Sequence, residues 1–149
     1  MSPPSHPPGL EEVLEILRAA YPREGCGVVL TGPHGHRVLA LPNACDPARA
    51  AAHFQFDDAA WLATLTEVDA RDESLACLFH SHVDSPADFS AQDVQAAAPG
   101  GTPLFPGVAY LVVSVTRHGP SEIRFFSWSG ASFQESRGVS RSWQASGPG

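Results

Sequence analysis

The chain has 149 residues, 43% of them hydrophobic, and a formal net charge of −7. This length suits one domain with its own core and is too short for two domains. The acidic balance argues against nucleic acid as a partner, because binding to a phosphate backbone needs clustered basic residues and only 9 are spread along this chain.

The two ends of the chain differ in composition from its middle. Residues 1–9 are rich in proline, which predicts a disordered arm. Residues 136–149 are rich in serine, glycine and arginine, and we expect a disordered tail there. The folded domain is therefore expected over residues 10–135.

Cysteine usage and the start of the chain predict a cytoplasmic protein. The chain has three cysteines: Cys26, Cys45 and Cys77. Their number is odd and two of them lie in apolar, strand-like runs, which indicates reduced thiols. The start lacks the charged region and apolar core of a signal peptide, and no later segment is long and apolar enough to cross a membrane. We therefore expect no membrane partner.

The first part of the domain predicts a helix followed by a β-hairpin. Apolar residues recur at helical spacing over residues 10–17, and Pro22 ends the helix. The apolar run at residues 25–30 indicates a strand, and a turn joins it to a return strand at residues 37–41. Glu24 is thereby placed where a strand begins, a position from which a side chain can project into a cleft.

Two histidine positions are considered as metal ligands and set aside. His34 and His36 form a His-x-His pair, but they lie in a glycine-bounded turn at residues 31–36 with no nearby carboxylate, so a solvated loop is expected. His53 is an isolated histidine in a short predicted strand at residues 53–56. A structural partner is expected for it rather than a metal.

The other elements predict one mixed sheet with helices packed against it. A helix capped by Asp57 or Asp58 is expected to bury four apolar residues: Trp61, Leu62, Leu65 and Val68. Glycine and proline keep residues 99–107 irregular, the apolar run at residues 108–116 predicts a central strand covered on both faces, and residues 122–128 predict its neighbour. The fold class is therefore α/β.

The strand before residue 83 carries the residues that predict the chemistry. The apolar run at residues 75–78 is too short for a helix and indicates a buried strand. If the strand continues, His80 and His82 point to the same face, because alternate side chains share a face. Asp93 follows a turn-rich segment that lets the chain double back toward them. Two nitrogens and one oxygen, with a fourth position for water, form the ligand set of a catalytic zinc site.

Ser90 and Asp93 also fit the start of a helix. Ser90, followed three residues later by Asp93 and then by an apolar run, is the pattern of a capped helix with Ser90 as its N-cap. The two interpretations are compatible, since a helix that begins at Ser90 would hold Asp93 rigidly. The hydroxyl of Ser90 would then lie at the positive end of that helix.

These residues carry a resemblance to a known family. An upstream glutamate followed by HS/THx7SxxD is the signature of the JAMM metallopeptidases, also called MPN-plus or Mov34/PAD-1, and this chain resembles it through Glu24 and the run from His80 to Asp93. The resemblance covers most of the chain, from about residue 10 to residue 133. Within the family, the chain is most similar in type to the short, stand-alone bacterial members. Many members have proline where this chain has Val83 and Phe89. Neither position is a ligand, so this departure bears on loop shape and substrate fit.

The resemblance implies both a fold and a set of roles. The implied fold is a single three-layer α-β-α domain with a mixed, mostly antiparallel sheet, similar to that of cytidine deaminases. One zinc ion per chain would be held by His80, His82 and Asp93. Glu24 would carry a proton from water to the leaving amine, and Ser90 would donate a hydrogen bond to the oxyanion.

The resemblance also implies a substrate class. It implies hydrolysis of an amide or isopeptide bond after the C-terminal Gly-Gly of a ubiquitin-like or sulfur-carrier protein. Larger eukaryotic relatives carry an insertion near the loop at residues 99–107 that grips the substrate tail, and this chain has only a short loop there.

Other functions stay open at this point. A non-catalytic MPN scaffold would act as a binding module, and a zinc hydrolase for a small molecule or a cell-wall peptide would need the same ligands but a different groove. Reactive-cysteine catalysis at Cys26 is weaker, because no histidine is near it in the sequence and its neighbours look buried. Iron or another divalent ion could also take the place of zinc in the cell.

Overall fold

The computed structural model describes residues 8–45 and 56–135, which form three α-helices, one short 3₁₀-helix (Pro99–Gly101) and six strands. In chain order the α-helices and strands are α1 (Leu10–Ala20), β1 (Cys26–Gly32), β2 (Gly35–Leu41), α2 (Asp58–Ala70), β3 (Ser74–Val83), α3 (Ala91–Ala97), β4 (Ala109–Thr116), β5 (Gly119–Trp128) and β6 (Phe133–Glu135). The predicted tail at residues 136–149, His53 and most of the predicted N-terminal arm lie outside the described residues.

All six strands form one sheet in the order β2-β1-β3-β4-β5-β6. Neighbouring strands are antiparallel except β3 and β4, which run parallel. A parallel pair needs a long crossover connection, and α3 with its flanking loops provides it. The predicted α/β fold with a mixed, mostly antiparallel sheet is confirmed.

Helices cover both faces of the sheet. On one face, Val13 and Leu17 of α1 are buried against a cluster that includes Phe79 of β3. On the other face, Trp61 of α2 and Ala97 of α3 pack against a second apolar cluster. This second cluster draws its buried sheet residues from several strands: Cys26, Val28, Leu30, Leu41, Leu78, Tyr110, Val112 and Phe126. The result is the three-layer arrangement, with α2 and α3 on the same side of the sheet.

The burial of α2 differs from its predicted pattern. Leu62 was expected in the core, but it is 66% exposed, and Thr64 is the buried residue of this helix instead. The face that contacts the sheet runs through Ala60, Trp61 and Val68. Leu62 follows Trp61 by about 100° around the helix, which turns it toward solvent. The prediction was wrong because Leu62 lies beside the apolar stripe rather than in it.

Several element boundaries also differ from the sequence-based ones. β2 begins at Gly35, inside the predicted turn, and β5 begins at Gly119, ahead of the predicted strand at residues 122–128. The short strand β6 was not predicted. Asp57 is the N-cap of α2, with its carboxylate accepting from the amide of Ala60 at 2.9 Å. Within the described residues, none of the helices is both long and apolar enough to cross a bilayer.

Candidate metal centre

Three predicted ligands, carried by β3 and α3, meet at one point. Nε2 of His82 lies 3.1 Å, and Nε2 of His80 lies 3.2 Å, from the same atom, Oδ2 of Asp93. The two Nε2 atoms are 3.3 Å apart. Within residues 8–45 and 56–135, these three side chains form the one cluster of potential metal ligands. The structure therefore brings together all three residues of the predicted ligand set.

The spacing of these atoms fits a tetrahedral metal ion. Zinc binds histidine nitrogen and carboxylate oxygen at about 2.0–2.1 Å, so neighbouring ligands of a tetrahedral site lie about 3.3 Å apart. The three measured separations are 3.1, 3.2 and 3.3 Å. Three protein ligands leave one position of a tetrahedron open, as in catalytic zinc sites. The donor set and its spacing thus fit zinc.

The strand register explains why the two histidines share a face. In β3, Leu78 belongs to the apolar cluster beneath α2 and α3, whereas Phe79 belongs to the cluster beneath α1. His80 and His82 continue the series of Leu78, and Ser81 continues that of Phe79. The motif therefore presents both imidazoles to the side of the sheet where α3 begins.

A backbone carbonyl orients the ring of His82. Nδ1 of His82 lies 2.8 Å from the carbonyl oxygen of Pro86, an arrangement that favours the proton on Nδ1 and leaves Nε2 available to a metal. The loop that contains this carbonyl is held by the sheet: the hydroxyl of Ser114 donates to the preceding carbonyl at 2.6 Å, and the amide of Ala87 donates to Oε1 of Glu122 at 2.8 Å. Sequence reasoning missed these partners, because they lie on strands far along the chain.

The start of α3 orients the carboxylate of Asp93. Oδ2 of Asp93 accepts from the amide of Ser90 at 3.0 Å, and Oγ of Ser90 accepts from the amide of Asp93 at 3.1 Å. These two bonds form a complete capping box, so the predicted capped helix is confirmed. Oδ2 of Asp93 accepts the hydrogen bond from Ser90 and also faces both histidines, so the capping box orients the predicted ligand atom.

Burial and hydrogen bonding hold two members of the cluster, His80 and Asp93, in the protonation states that bind metal. Burial lowers the pKa of His80 and favours its neutral form. Burial alone would raise the pKa of Asp93, but hydrogen bonds with His80 and His82 outweigh it and hold that pKa far below its usual range. Burial likewise opposes the charged form of His82, and here the hydrogen bond to Asp93 prevails and raises the pKa. An ionised carboxylate beside a neutral imidazole is ready to coordinate a cation.

Glu24 is a buried acid on the wall of the same cavity as His80 and Asp93. It is only 7% exposed. Burial raises its pKa to about 7; the charge of His82 opposes this effect and that of Asp93 adds to it. A carboxyl group that titrates near neutral pH is suited to proton transfer. Glu24 lies outside the ligand cluster, as the predicted role of proton shuttle requires.

The peptide that links Glu24 to Gly25 is anchored by residues that the sequence did not single out as functional. Nδ2 of Asn43 donates to its carbonyl, on Glu24, at 2.9 Å. Its amide, on Gly25, donates to Ser81, the middle residue of the His-Ser-His motif. One signal for Ser81 was available: a residue between two ligands on a strand must point to the opposite face.

A cavity of about 430 Å³ opens beside the ligand cluster. Its polar wall contains Glu24, Ser90 and Asp93. The rest of its described lining is mainly apolar, and its large side chains come from α2 and the segment before it, from the loops on either side of α3 and from the sheet: Phe56, Trp61, Leu78, Phe79, Phe89, Leu104, Phe105 and Tyr110. A concave, largely apolar site with a few convergent polar groups is the usual form of a ligand-binding pocket.

The positions that depart from the family pattern lie in the loop between the two groups of ligands. Phe89 packs its ring 5.3 Å from those of Tyr110 and Phe126, so the bulky residue fills the space under the loop. Val83 ends β3, and Asp84 after it has φ 52°. The hydroxyl of Tyr21 donates to the Asp84 carboxylate at 3.0 Å. The turn therefore forms without proline at either position.

The alternative sites are not assembled by the described structure. His34 is exposed, as expected for a solvated turn. His36 instead lies in β2 and is paired with Glu12 at 3.1 Å, so the expectation that no carboxylate lies near it was wrong, because Glu12 comes from α1, more than twenty residues earlier. Cys26 is 1% exposed, and burial raises the pKa of its thiol to about 12. Its Sγ donates to the carbonyl of Leu41 at 3.4 Å. A thiol held in this way is not an activated nucleophile.

Comparison with known proteins identifies relatives of this fold. The family model described as prokaryotic homologs of the JAB domain matches residues 6–129. The solution structure of a protein from Desulfitobacterium hafniense is similar, with a TM-score of 0.65 and 26% identity over 85% of this chain and 84% of that one. A solution structure from Salinibacter ruber has a TM-score of 0.52 and 26% identity, over 83% of this chain and 84% of that one. Among proteins of curated function, none matches this sequence.

Proposed function

Since this chain belongs to the family of prokaryotic homologues of the JAB domain, we propose that it is a zinc-dependent metallopeptidase. The proposed reaction is hydrolysis of the amide or isopeptide bond after the C-terminal Gly-Gly of a ubiquitin-like or sulfur-carrier protein, with one zinc ion per chain. The observation that carries the proposal is the meeting of His80, His82 and Asp93, with ligand atoms 3.1 to 3.3 Å apart. Buried Glu24 lines the same cavity.

The side chains around the cluster divide the chemistry among them. A zinc ion held by the cluster would supply a Lewis acid and lower the pKa of a bound water. Glu24 accepts a proton from the attacking water and later delivers it to the leaving amine, a role suited to a pKa of about 7. Ser90 already uses its oxygen to accept from the amide of Asp93, and its own hydroxyl hydrogen stays available for the oxyanion of the tetrahedral intermediate.

An extended Gly-Gly tail is the proposed acyl side of the substrate. The support is the family resemblance, together with two features of the fold. β2 and β6 are the edges of the sheet, where an extended peptide can add backbone hydrogen bonds. Glycine lets a peptide backbone approach closely, which a site lined by bulky side chains requires.

The cytoplasm is the proposed location. The three cysteines are unpaired thiols, and all three are buried. Unpaired thiols are the usual state in a reducing compartment. A cytoplasmic carrier protein would also be within reach of the enzyme there.

The test combines metal content with turnover on defined fusions. Zinc-loaded protein is incubated with small carrier proteins whose Gly-Gly terminus is extended by a short peptide, and product masses locate the cleaved bond. His82→Ala should lose both zinc and turnover. His36→Ala is the matched control, because its imidazole lies outside the cluster and pairs with Glu12, and it should retain both.

The rival functions give different results in the same assay. A non-catalytic scaffold would bind carrier protein and leave every fusion intact even when one zinc is bound per chain. A hydrolase of small molecules or cell-wall peptides would be active on those compounds, and an excess of free carrier protein would not inhibit it. Cleavage by His82→Ala at the parent rate would refute the metal-dependent mechanism.

A further inference from the structure

The cavity beside the ligand cluster contains an apolar part that a Gly-Gly tail cannot fill. We call this part the aromatic pocket and define it by five residues: Phe56, Trp61, Leu104, Phe105 and Tyr110. The whole cavity measures about 430 Å³, and glycine has no side chain to occupy such a volume. The occupant must therefore come from another part of the substrate.

Rings from separate elements surround the pocket. The ring of Phe56, which precedes α2, stacks on that of Trp61 with centroids 5.0 Å apart. Phe105, in the loop after α3, meets Trp61 edge to face at 5.6 Å. Leu104 beside it is 55% exposed, and its amide donates to the carbonyl of Ala97 at 2.9 Å. These rings are held by their mutual packing, so a side chain that enters gains aromatic contacts at little ordering cost.

The charges around the cavity select against some occupants. Its described lining contains no lysine or arginine, and its acids are Glu24 and Asp93. An acidic side chain would leave water for a largely apolar pocket whose described lining offers no lysine or arginine to pair with it. An apolar side chain loses little on leaving water and gains by burial. The pocket therefore favours an uncharged, large side chain.

The position of the pocket indicates on which side of the scissile bond the substrate residue that occupies it lies. Glu24 and Ser90, the proposed proton shuttle and oxyanion donor, line the same cavity as the aromatic pocket, and a sphere of about 430 Å³ is about 9 Å across. On the acyl side, the nearest residue with a side chain precedes both glycines and lies about 7 Å further along an extended chain. On the other side, the residue whose amine leaves is directly bonded to the last glycine. It has the nearest side chain.

We propose that the aromatic pocket binds the side chain of the residue that supplies the leaving amine, and that this residue is aromatic or large and aliphatic. The inference rests on the proposed hydrolysis after Gly-Gly. Water adds across the amide, the C–N bond breaks, the last glycine keeps a carboxylate, and the apolar residue leaves as an amine that receives a proton from Glu24. The substrate is then a carrier protein extended by a peptide that begins with an apolar residue.

A substrate series tests the pocket directly. Carrier fusions of sequence Gly-Gly-Xaa, with Phe, Leu, Ala, Lys or Asp at Xaa, are compared by kcat/KM on the zinc-loaded protein. Phe and Leu should exceed Ala by about 10- to 100-fold, and Asp should be the poorest substrate. Equal rates for Phe and Ala, or a clear preference for Lys, would overturn the inference.

Variants within the pocket separate its role from general damage. Ala96→Phe adds a ring to the cavity lining, and it should lower kcat/KM for the Phe substrate by about tenfold or more while the Ala substrate changes by less than about threefold. Trp61→Ala should reduce the preference for Phe over Ala. The control is Leu62→Ala, at an exposed neighbouring position outside the cavity lining. Equal losses on both substrates in Ala96→Phe would contradict the assignment.

A binding measurement distinguishes failure of this inference from failure of the proposed function. Phenylalaninamide should shift the NMR signal of the Trp61 indole in the zinc-loaded protein, and alaninamide at the same concentration should not. If Gly-Gly-Xaa fusions are cleaved without regard to Xaa and neither amide shifts the signal, the pocket inference fails while the proposed function stands. If phenylalaninamide alone binds but no fusion is cleaved, the pocket stands and the proposed reaction fails.

Discussion

Ser81 and Gly25 are joined by two hydrogen bonds between the start of β1 and the end of β3. The amide of Gly25 donates to Oγ of Ser81 at 2.8 Å, and the amide of Ser81 donates to the carbonyl of Gly25 at 3.0 Å. Gly25 packs so closely on α1 that a Cβ there would lie 2.8 Å from that of Ala20. Since Ser81 separates the two histidines and Gly25 follows Glu24, this pair sets the position of Glu24, the proposed proton shuttle, relative to the three proposed metal ligands.

Ser81→Ala should therefore weaken turnover more than metal binding. Ser81 is 0% exposed, and removal of its hydroxyl leaves the buried amide of Gly25 without this acceptor, which should cost about 1–3 kcal/mol of stability. Both imidazoles stay on the opposite face, so zinc content should hold while kcat falls. Denaturant unfolding, metal analysis and steady-state kinetics measure the three effects, with the exposed Ser127→Ala as control. A fall in zinc content equal to the fall in kcat would count against a positioning role.

Glu24→Gln should abolish most turnover and spare the metal. The amide has nearly the same shape as the carboxyl group but cannot carry a proton between water and amine, and loss of a general acid–base group typically costs about 10²- to 10⁴-fold in rate. Kinetics and zinc content on the same preparation check this. Turnover at the parent rate would remove Glu24 from the mechanism.

Glu24→Gln should also stabilise the metal-free protein, in a pH-dependent way. The pKa of Glu24 is raised by burial from 4.5 to about 7, so the folded state prefers the protonated acid. Below pH 4.5 the acid is protonated in both states and costs nothing. As the pH rises through 7 the folded protein must bury a charge, which should cost about 1–3 kcal/mol. The variant should match the parent at pH 4 and be more stable by that amount at pH 8.

Urea unfolding of the two metal-free proteins at both pH values measures this difference. The control is Glu11→Gln, an exposed position in the first turn of α1. It should show no comparable gain at pH 8. A stability difference for Glu24→Gln that is the same at pH 4 and pH 8 would show that the carboxyl group does not titrate in this range.

Two substitutions at Ser90 should separate its catalytic role from its structural one. Ser90→Ala removes both the cap of α3 and the hydroxyl donor, and it should cost about 1 kcal/mol of stability together with about 10²-fold in kcat. Ser90→Gly costs only a few tenths of a kcal/mol as an N-cap, but it also lacks the donor. If both variants lose kcat to a similar extent relative to the parent, despite different melting temperatures, the hydroxyl is assigned to the reaction. Near-parental kcat in Ser90→Gly would limit Ser90 to capping.

Thiol alkylation should leave the native protein active. Burial raises the pKa of Cys26 to about 12 and that of Cys77 still further, so neither forms a thiolate near neutral pH. Iodoacetamide at pH 8 should leave both unmodified by mass spectrometry until the protein is unfolded. Rapid modification of Cys26 with parallel loss of turnover would revive the reactive-cysteine mechanism.

Local patterns were sufficient to predict most of the helices and strands, and also the cluster of three potential metal ligands. The period of two in β3 puts His80 and His82 on one face, and the cap at Ser90 holds Asp93; both rules act over a few residues and can be applied to a sequence. The same local reasoning failed for Leu62, because the packing of a helix on a sheet decides which of two adjacent apolar residues is covered.

The sequence alone determined which residues are available for chemistry and in what order: an early glutamate, two histidines on a strand, and a serine with an aspartate at a helix start. Only the tertiary structure decided the bond between Ser81 and Gly25, the burial that brings Glu24 to a pKa near 7, and the aromatic pocket beside them. These features depend on register and packing between segments tens of residues apart. Contact energies of that kind arise only when the chain has closed on itself.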